Sequence, residues 1–188
     1  MIEYLKGNVI ESDCDVIIHG CNCFNNMSSG IAKAIKEIYP EAYNADFATV
    51  YGDKNKLGHY TYAKVQNKFF PEKEIYVVNA YTQYTYGRKE GEVYADYNAI
   101  ATVMRRINAF FVDTHDIQFK IGLPKIAAGL ARGDWNIISR NIELGFKDRK
   151  VYVYEYDDGG VKKEEFDLER LKEVWRQQLK EGQNEKSI

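Results

Sequence analysis

The chain has 188 residues, 45% of them hydrophobic, with a formal net charge of −2 at pH 7 and a pI near 6.0. That length supports one sizeable core and is short for two, and the near balance of charge excludes a global attraction to nucleic acid, so any bound phosphate must be held by local geometry. Cys14, Cys21 and Cys23 are clustered and odd in number, with no signal-peptide-like apolar stretch before them and no long apolar span anywhere, so a reducing, cytoplasmic setting away from any membrane is expected.

In chain order, residues 2–5 predict a short strand, and residues 15–20 a continuous apolar strand of the kind buried on both faces of a sheet. Ser28 or Ser29 can cap the helix that follows. It runs to about Tyr39, where Pro40 ends it and heads a second helix over residues 41–50. Gly52 and the polar residues 53–58 predict a loop. Strand patterns at 59–65 and 74–80, separated by a turn at Pro71, are expected as near neighbours in one sheet. Residues 82–91 are polar, aromatic and unperiodic.

From residue 92 to about 114, Tyr97, Ile100, Ala101, Met104, Ile107 and Phe111 recur at helical spacing, with Arg105 and Arg106 on the outer side. A strand at 119–123, a helix at 134–146 and a strand at 151–156 follow, an order consistent with a parallel or mixed sheet covered by helices. Asp158, Gly159 and Gly160 predict a turn. Leu168, Leu171, Val174, Trp175 and Leu179 mark a charged amphipathic helix, and residues 182–188 read as a frayed tail. Most of the 15 tyrosines alternate with apolar residues in the strand runs, as wall material on half-buried sheet faces.

Two connections stand out from this frame. After Val16-Ile17-Ile18 the chain runs through a small, polar loop, Cys21 to Gly30, that feeds a helix with no bulky residue at its mouth. Such a mouth presents bare backbone N–H groups to an anion. The loop is longer than the usual βα connection of about 2–6 residues. A second apolar strand, 121–123, leads into Pro-Lys-Ile-Ala-Ala-Gly-Leu-Ala-Arg-Gly at 124–133 and another helix. This loop lacks the lysine of a P-loop and the glycine spacing of a dinucleotide fingerprint, which excludes those kinase and dehydrogenase readings. Two such mouths fit a ligand with more than one phosphate.

His19 ends the strand run, so its imidazole is expected where the strand leaves the core and meets the first loop. A neutral imidazole there can orient or deprotonate water near pH 7; the alternative is a core histidine hydrogen-bonded to backbone. Asp134 follows Gly133 at a helix start, where a carboxylate N-cap is common for structural reasons and a catalytic acid or base is the other reading. His59 and His115 read as surface residues. The cysteines form only a weak zinc pattern, and buried free thiols are the expected state.

At its two loops the chain resembles a macrodomain, the α/β/α module that binds ADP-ribose. The resemblance covers about residues 1–157 and rests on Tyr4-Leu-Lys-Gly-Asn-Val, on Ile18-His-Gly-Cys-Asn-Cys followed by Ser29-Gly-Ile-Ala, and on Leu123-Pro-Lys-Ile-Ala-Ala-Gly-Leu-Ala-Arg-Gly-Asp-Trp. It implies a three-layer α/β/α fold with a mixed, mostly parallel central sheet over residues 1–160, the charged helix and tail of residues 161–188 packing on or beside that domain. The first two motifs are most similar to the branch that removes phosphate from ADP-ribose 1″-phosphate.

That resemblance implies that Asn8 and Val9 approach the adenine, that Asn22 contacts the distal ribose, and that Gly20, Ser29, Gly30 and Ile31 with Ala127, Ala128, Gly129, Leu130, Ala131 and Arg132 wrap the diphosphate and distal ribose. Asn8 replaces the usual adenine-reading aspartate and can still accept from an exocyclic amine. His19 would serve catalysis, with Asp134 as a second participant. Gln83 and Ala131 stand where a branch that removes ADP-ribose from glutamate or DNA carries a lysine and an aspartate, which argues against a lysine adduct. The expected partner is therefore a small molecule, ADP-ribose or its 1″-phosphate, with no cofactor and no metal required. Nucleic acid is disfavoured except as an ADP-ribosylated substrate. A non-catalytic ADP-ribose reader, or a hydrolase acting on ADP-ribosylated protein or nucleic acid, are the alternative readings.

Overall fold

The apolar run of β2 (Val16–Asn22) buries residues on both of its faces and accordingly stands inside the sheet, not at its edge. In this computed structural model, which describes residues 1–114, 119–147, 149–156, 172–174 and 176, the sheet has six strands in the order β1-β6-β5-β2-β4-β3. The others are β1 (Ile2–Lys6), β3 (Tyr60–Gln66), β4 (Glu74–Gln83), β5 (Ile121–Pro124) and β6 (Val151–Glu155). Every neighbouring pair is parallel except β3 with β4, the two strands joined through the Pro71 turn, which pair antiparallel.

Side chains alternate across the sheet, and each face has its own helical layer. Val16, Ile18, Val78 and Ala80 pack with Ile100, Met104 and Ile107 of α3 (Tyr97–Thr114) and Ile138 and Ile142 of α4 (Trp135–Gly145). On the opposite face Ile17 and Val77 pack with Ile35 and Ile38 of α1 (Gly30–Ile38) and Ala42 of α2 (Pro40–Phe47). The result is a three-layer α/β/α fold with a mixed, mostly parallel sheet. Each buried Ile or Leu side chain in these layers contributes about 1.5–3 kcal/mol relative to exposure.

Two boundaries differ from the periodicity, and both bear on the site. The long helix starts at Tyr97, not at residue 92, because Tyr94 and Ala95 donate their N–H groups to the Ala131 carbonyl and Ala95 bridges to Gln83. Asp96 then opens the helix by accepting from the Ala99 N–H at 2.8 Å. β2 and β4 also extend past residues 20 and 80, and the residue pairing skips Thr82, so that Cys21 faces Tyr81 but Asn22 faces Gln83. Thr82 is the extra residue of a β-bulge, an irregularity common beside functional sites.

Of the C-terminal segment, residues 172–174 and 176 are helical; Lys172 pairs with Glu37 of α1 at 2.5 Å and Val174 packs on the α1 layer. The remaining residues of the helix expected over 168–179, the turn at 158–160 and the tail lie outside the described residues, as does His115. Among the described residues no helix is long and apolar enough to cross a membrane.

One topological fact places the site. β2 and β5 lie side by side, yet β2 feeds α1 on one face of the sheet and β5 feeds α4 on the other. The chain parts at their carboxyl ends and leaves a crevice, where open α/β sheets receive their ligands.

Candidate functional site

The first wall of the crevice is the loop from Asn22 to Ser29. Asn22 is folded back into it, its Oδ1 accepting from Phe24 N–H at 2.9 Å and Asn26 N–H at 3.4 Å while its Nδ2 donates to the Asn26 carbonyl at 2.8 Å. The side chain expected to touch a ribose is thus the brace that shapes the loop. Asn26 in turn accepts from Ser28 N–H at 3.0 Å. Ser29 then enters α1 without a side-chain capping bond, and among the described residues the first-turn N–H groups of Gly30, Ile31 and Ala32 find no acceptor in the chain. A helix start with unsatisfied donors at the end of a central strand has the geometry and the partial positive charge to accept an anion.

The second wall is the loop from Pro124 to Asp134. Ala127 and Arg132 both take left-handed backbone angles, φ 56°, which turn successive peptide planes. Gly133 N–H returns to the Ala127 carbonyl at 2.8 Å and Arg132 N–H to the Gly129 carbonyl at 2.9 Å. The N–H groups of Ala127, Gly129, Leu130 and Ala131 find no acceptor among the described residues. Gly133 has to be glycine, since a Cβ there would lie 2.7 Å from Ile138 Cδ1 and 2.8 Å from both the Ala127 carbonyl oxygen and Ala95 Cβ.

The two walls meet. A Cβ on Gly30, itself at φ 57°, would lie 3.6 Å from Leu130 Cδ1, and one on Gly20 would lie 3.8 Å from the Ala127 nitrogen. Gly20 is therefore the floor, and the Thr82 side chain stands beside it on the same face: Thr82 Oγ1 lies 2.8 Å from that Cβ position and has no hydrogen-bond partner among the described residues. Two loops whose N–H groups find no acceptor among the described residues face each other across a glycine floor; the sequence predicts the two loops, and the fold brings them together.

Other expected residues take different places. Asn8 ends the connection after β1; its Oδ1 accepts from Ile10 N–H at 3.1 Å and its Nδ2 donates to Glu11 at 2.9 Å, so it caps the short 3-10 turn Val9–Glu11. Val9 is buried, packed in the α1 layer. Arg132 directs its guanidinium to the Arg88 and Lys89 carbonyls and so ties the segment after β4 to the second loop. The Ala131 side chain is buried and its carbonyl accepts from Tyr94 and Ala95, while Gln83 Nε2 donates to the Thr85 carbonyl at 2.8 Å.

His19 corrects the expectation most. It does not stand at the mouth: strand alternation puts Gly20 and Asn22 toward the crevice face and His19 on the opposite side, fully buried under α1 and α2. Asn79 donates through Nδ2 to the Ala42 carbonyl at 2.8 Å and to Thr61 Oγ1 at 2.9 Å, which leaves its Oδ1 to accept from His19 Nε2 at 2.7 Å. The imidazole is therefore neutral with its proton on Nε2, and Cys21 Sγ lies 3.7 Å from Nδ1. Burial pushes its pKa down to about 4. In its burial the ring matches the core histidine of the alternative reading, but its hydrogen-bond partner is the Asn79 side chain and not the backbone. Asp134 is exposed and accepts from Asn136 N–H at 2.8 Å as the N-cap of α4.

The three cysteines are buried free thiols. Burial raises all three pKa values, that of Cys23 to about 11, so none is a thiolate nucleophile near neutrality. Among the described residues no group of His, Cys, Asp and Glu could hold a metal ion.

Sequence reasoning missed the support behind the first loop. Lys56 lies in residues that read as a solvated polar turn, yet it is only 7% exposed and paired with Asp46, 1% exposed, at 3.5 Å. Neither position carries a local signal, because the pair forms between α2 and a turn that only the fold brings together.

No family model matches the chain. It is 30% identical over 160 residues to an uncharacterized 17.5 kDa protein encoded in the tk-vs intergenic region of Enterobacteria phage T4, a match spanning 84% of this chain and 97% of that protein. A shorter stretch of 44 residues is 43% identical to the ADP-ribose 1″-phosphate phosphatase of Aspergillus oryzae, covering 23% of this chain and 22% of that enzyme. Among solved structures, the macrodomain of Thermus aquaticus DarG has the same fold, with a TM-score of 0.62 at 17% identity over 82% of this chain and 98% of that one.

Proposed function

We propose that this chain is a macrodomain, that it binds ADP-ribose in the crevice between β2 and β5, and that it removes the phosphate from ADP-ribose 1″-phosphate; the fold shared with the Thermus aquaticus DarG macrodomain and the short match to the Aspergillus enzyme support the reading. The observation that carries the proposal is the pair of facing loops, with Leu130 over Gly30 and free N–H groups on both sides. A diphosphate spanning them would gain about 1.5–3 kcal/mol for each charge-assisted bond. The α1 dipole adds about 0.3–1 kcal/mol. With a net charge of −2 on the chain, these local donors outweigh any long-range field.

In the reaction, a water oxygen attacks phosphorus, the bond from phosphorus to the 1″ oxygen breaks, one proton of that water passes to the departing 1″ oxygen to form the hydroxyl of ADP-ribose, and ADP-ribose and hydrogen phosphate leave. The loop N–H groups, already fixed, stabilise the charge on the phosphoryl oxygens in the transition state. His19 enters this proposal as part of the scaffold beneath the site. The 44-residue stretch that is 43% identical to the Aspergillus enzyme supports the phosphatase reading over other hydrolyses.

The burial of His19 favours a second reading, that of an ADP-ribose reader without turnover. One experiment separates them: the full chain, in chelator, is mixed with ADP-ribose 1″-phosphate while phosphate release is followed, and ADP-ribose binding is measured by calorimetry. Release of phosphate supports the enzyme; binding with no release supports the reader. Absence of both defeats the proposal.

A further inference from the structure

The ammonium of Lys56 sits behind the first loop with every donor engaged. It donates to the Cys23 carbonyl at 3.2 Å and to Asn25 Oδ1 at 3.1 Å, lies 3.5 Å from Asp46 Oδ1, and stands over the Tyr81 ring, 4.6 Å from its centroid. Among the described residues Asn25 is one of three non-glycine residues with positive φ, 51°, a left-handed conformation that asparagine tolerates and that side-chain contacts can support further. It receives that support from this same group of residues. Its Nδ2 donates to the Asp46 carbonyl and, at 3.1 Å, to Thr49 Oγ1.

Behind Asp46 the polar contacts continue inward. Tyr81 donates to Asp46 Oδ1 at 2.8 Å, its hydroxyl lies 3.4 Å from Thr61 Oγ1, Asn79 donates to that same Thr61 oxygen, and His19 closes the chain on Asn79. A buried network thus runs from His19 to the loop that forms one wall of the crevice. Removing the ammonium leaves Asn25 Oδ1 without its donor and the buried Asp46 carboxylate without its countercharge, while the Cys23 carbonyl keeps the Gly52 N–H at 2.8 Å, so the loop is weakened chiefly at Asn25.

We propose that Lys56 is a positioning residue which holds Cys23 to Asn26 from behind in the shape that presents the Ser29 to Ala32 backbone to the ligand, and thereby sets affinity without touching the ligand. The inference rests on the ADP-ribose reading of the crevice for its consequence and on geometry alone for the clamp, so it is tested with two readouts. Hydrogen exchange of the unliganded full chain compares the wild type with Lys56→Met. A Lys56→Met, Asp46→Asn double variant removes the stranded carboxylate charge should the single variant fail to fold. Calorimetry with ADP-ribose, and KM against kcat with ADP-ribose 1″-phosphate, follow.

The expected result is at least tenfold faster exchange confined to the hydrogen-bonded loop amides of Cys23, Phe24, Asn26 and Ser28, with strand β2 up to Gly20 unchanged, together with at least tenfold weaker ADP-ribose binding and a larger effect on KM than on kcat. Unchanged loop exchange in a folded variant overturns the clamp, and faster loop exchange with an unchanged Kd overturns its role in affinity. A wild-type chain that fails to bind ADP-ribose defeats the proposed function and with it the affinity role, while the exchange readout still decides the clamp.

Discussion

Replacing His19 with Gln should remove a pH dependence of stability that the buried imidazole creates. Burial lowers the His19 pKa from 6.5 to about 4 in the folded chain, so below pH 6.5 the unfolded state binds a proton that the folded state refuses. Stability from this group is intact above pH 6.5 and is lost as pH falls toward and through about 4. The slope approaches about 1.4 kcal/mol per pH unit, giving a loss of about 2 kcal/mol at about pH 5 and about 3 kcal/mol at about pH 4. Asp46 works in the opposite sense, because burial raises its carboxyl pKa and the folded state then holds a proton that the unfolded state releases.

The difference between wild type and His19→Gln cancels the Asp46 contribution. Gln keeps an N–H donor for Asn79 and does not titrate, so any fixed cost of the substitution is independent of pH. Urea unfolding of both chains from about pH 7.5 to about pH 4.5, followed by tryptophan fluorescence, gives the two curves. They should converge by about 2 kcal/mol on acidification to about pH 5. Parallel curves would refute the reasoning, since they would mean that the imidazole titrates normally and is not enclosed.

Three further outcomes follow from single contacts. Gly133→Ala should lower stability by about 1–3 kcal/mol in urea unfolding, because the new methyl meets the Ala127 carbonyl oxygen and Ala95 Cβ at 2.8 Å; an unchanged midpoint would show that the second loop yields freely. Thr82→Val should leave the thermal midpoint unchanged or higher, since the buried Oγ1 has no hydrogen-bond partner among the described residues and its loss strands nothing; a clear fall would reveal a partner for that hydroxyl. Asp134→Ala should cost about 1 kcal/mol of stability through the lost N-cap. Phosphate release by that variant should stay within about twofold of wild type, a rate difference of under about 0.5 kcal/mol, and a fall of a hundredfold or more would return Asp134 to the chemistry.

Local pattern carried most of the architecture. The apolar runs of β2 and β5, the helical spacing of Ile100, Met104 and Ile107, and Pro40 at the head of α2 follow from side-chain period and backbone restriction, which act within a few residues. The two loops were legible for the same reason, since small residues between an apolar strand and a helix leave the backbone bare. The start of α3 was not, because Tyr94 and Ala95 are drawn out of the helix by the Ala131 carbonyl, far away in sequence.

His19 and Lys56 show where local reading stops. The sequence by itself determined that a histidine ends an apolar strand beside a glycine-floored loop; which side of the sheet its ring faces, and whether water reaches it, depended on helices α1 and α2 closing over residues 17, 19 and 21. In the same way it placed Lys56 in a polar turn, and only tertiary packing took that ammonium out of water and set it against Asp46, Tyr81 and the back of the first loop. Backbone propensity and periodicity are local and survive in the bare sequence, whereas burial and charge pairing are properties of distant segments in contact, and they come into being only when the sheet and its two helical layers assemble.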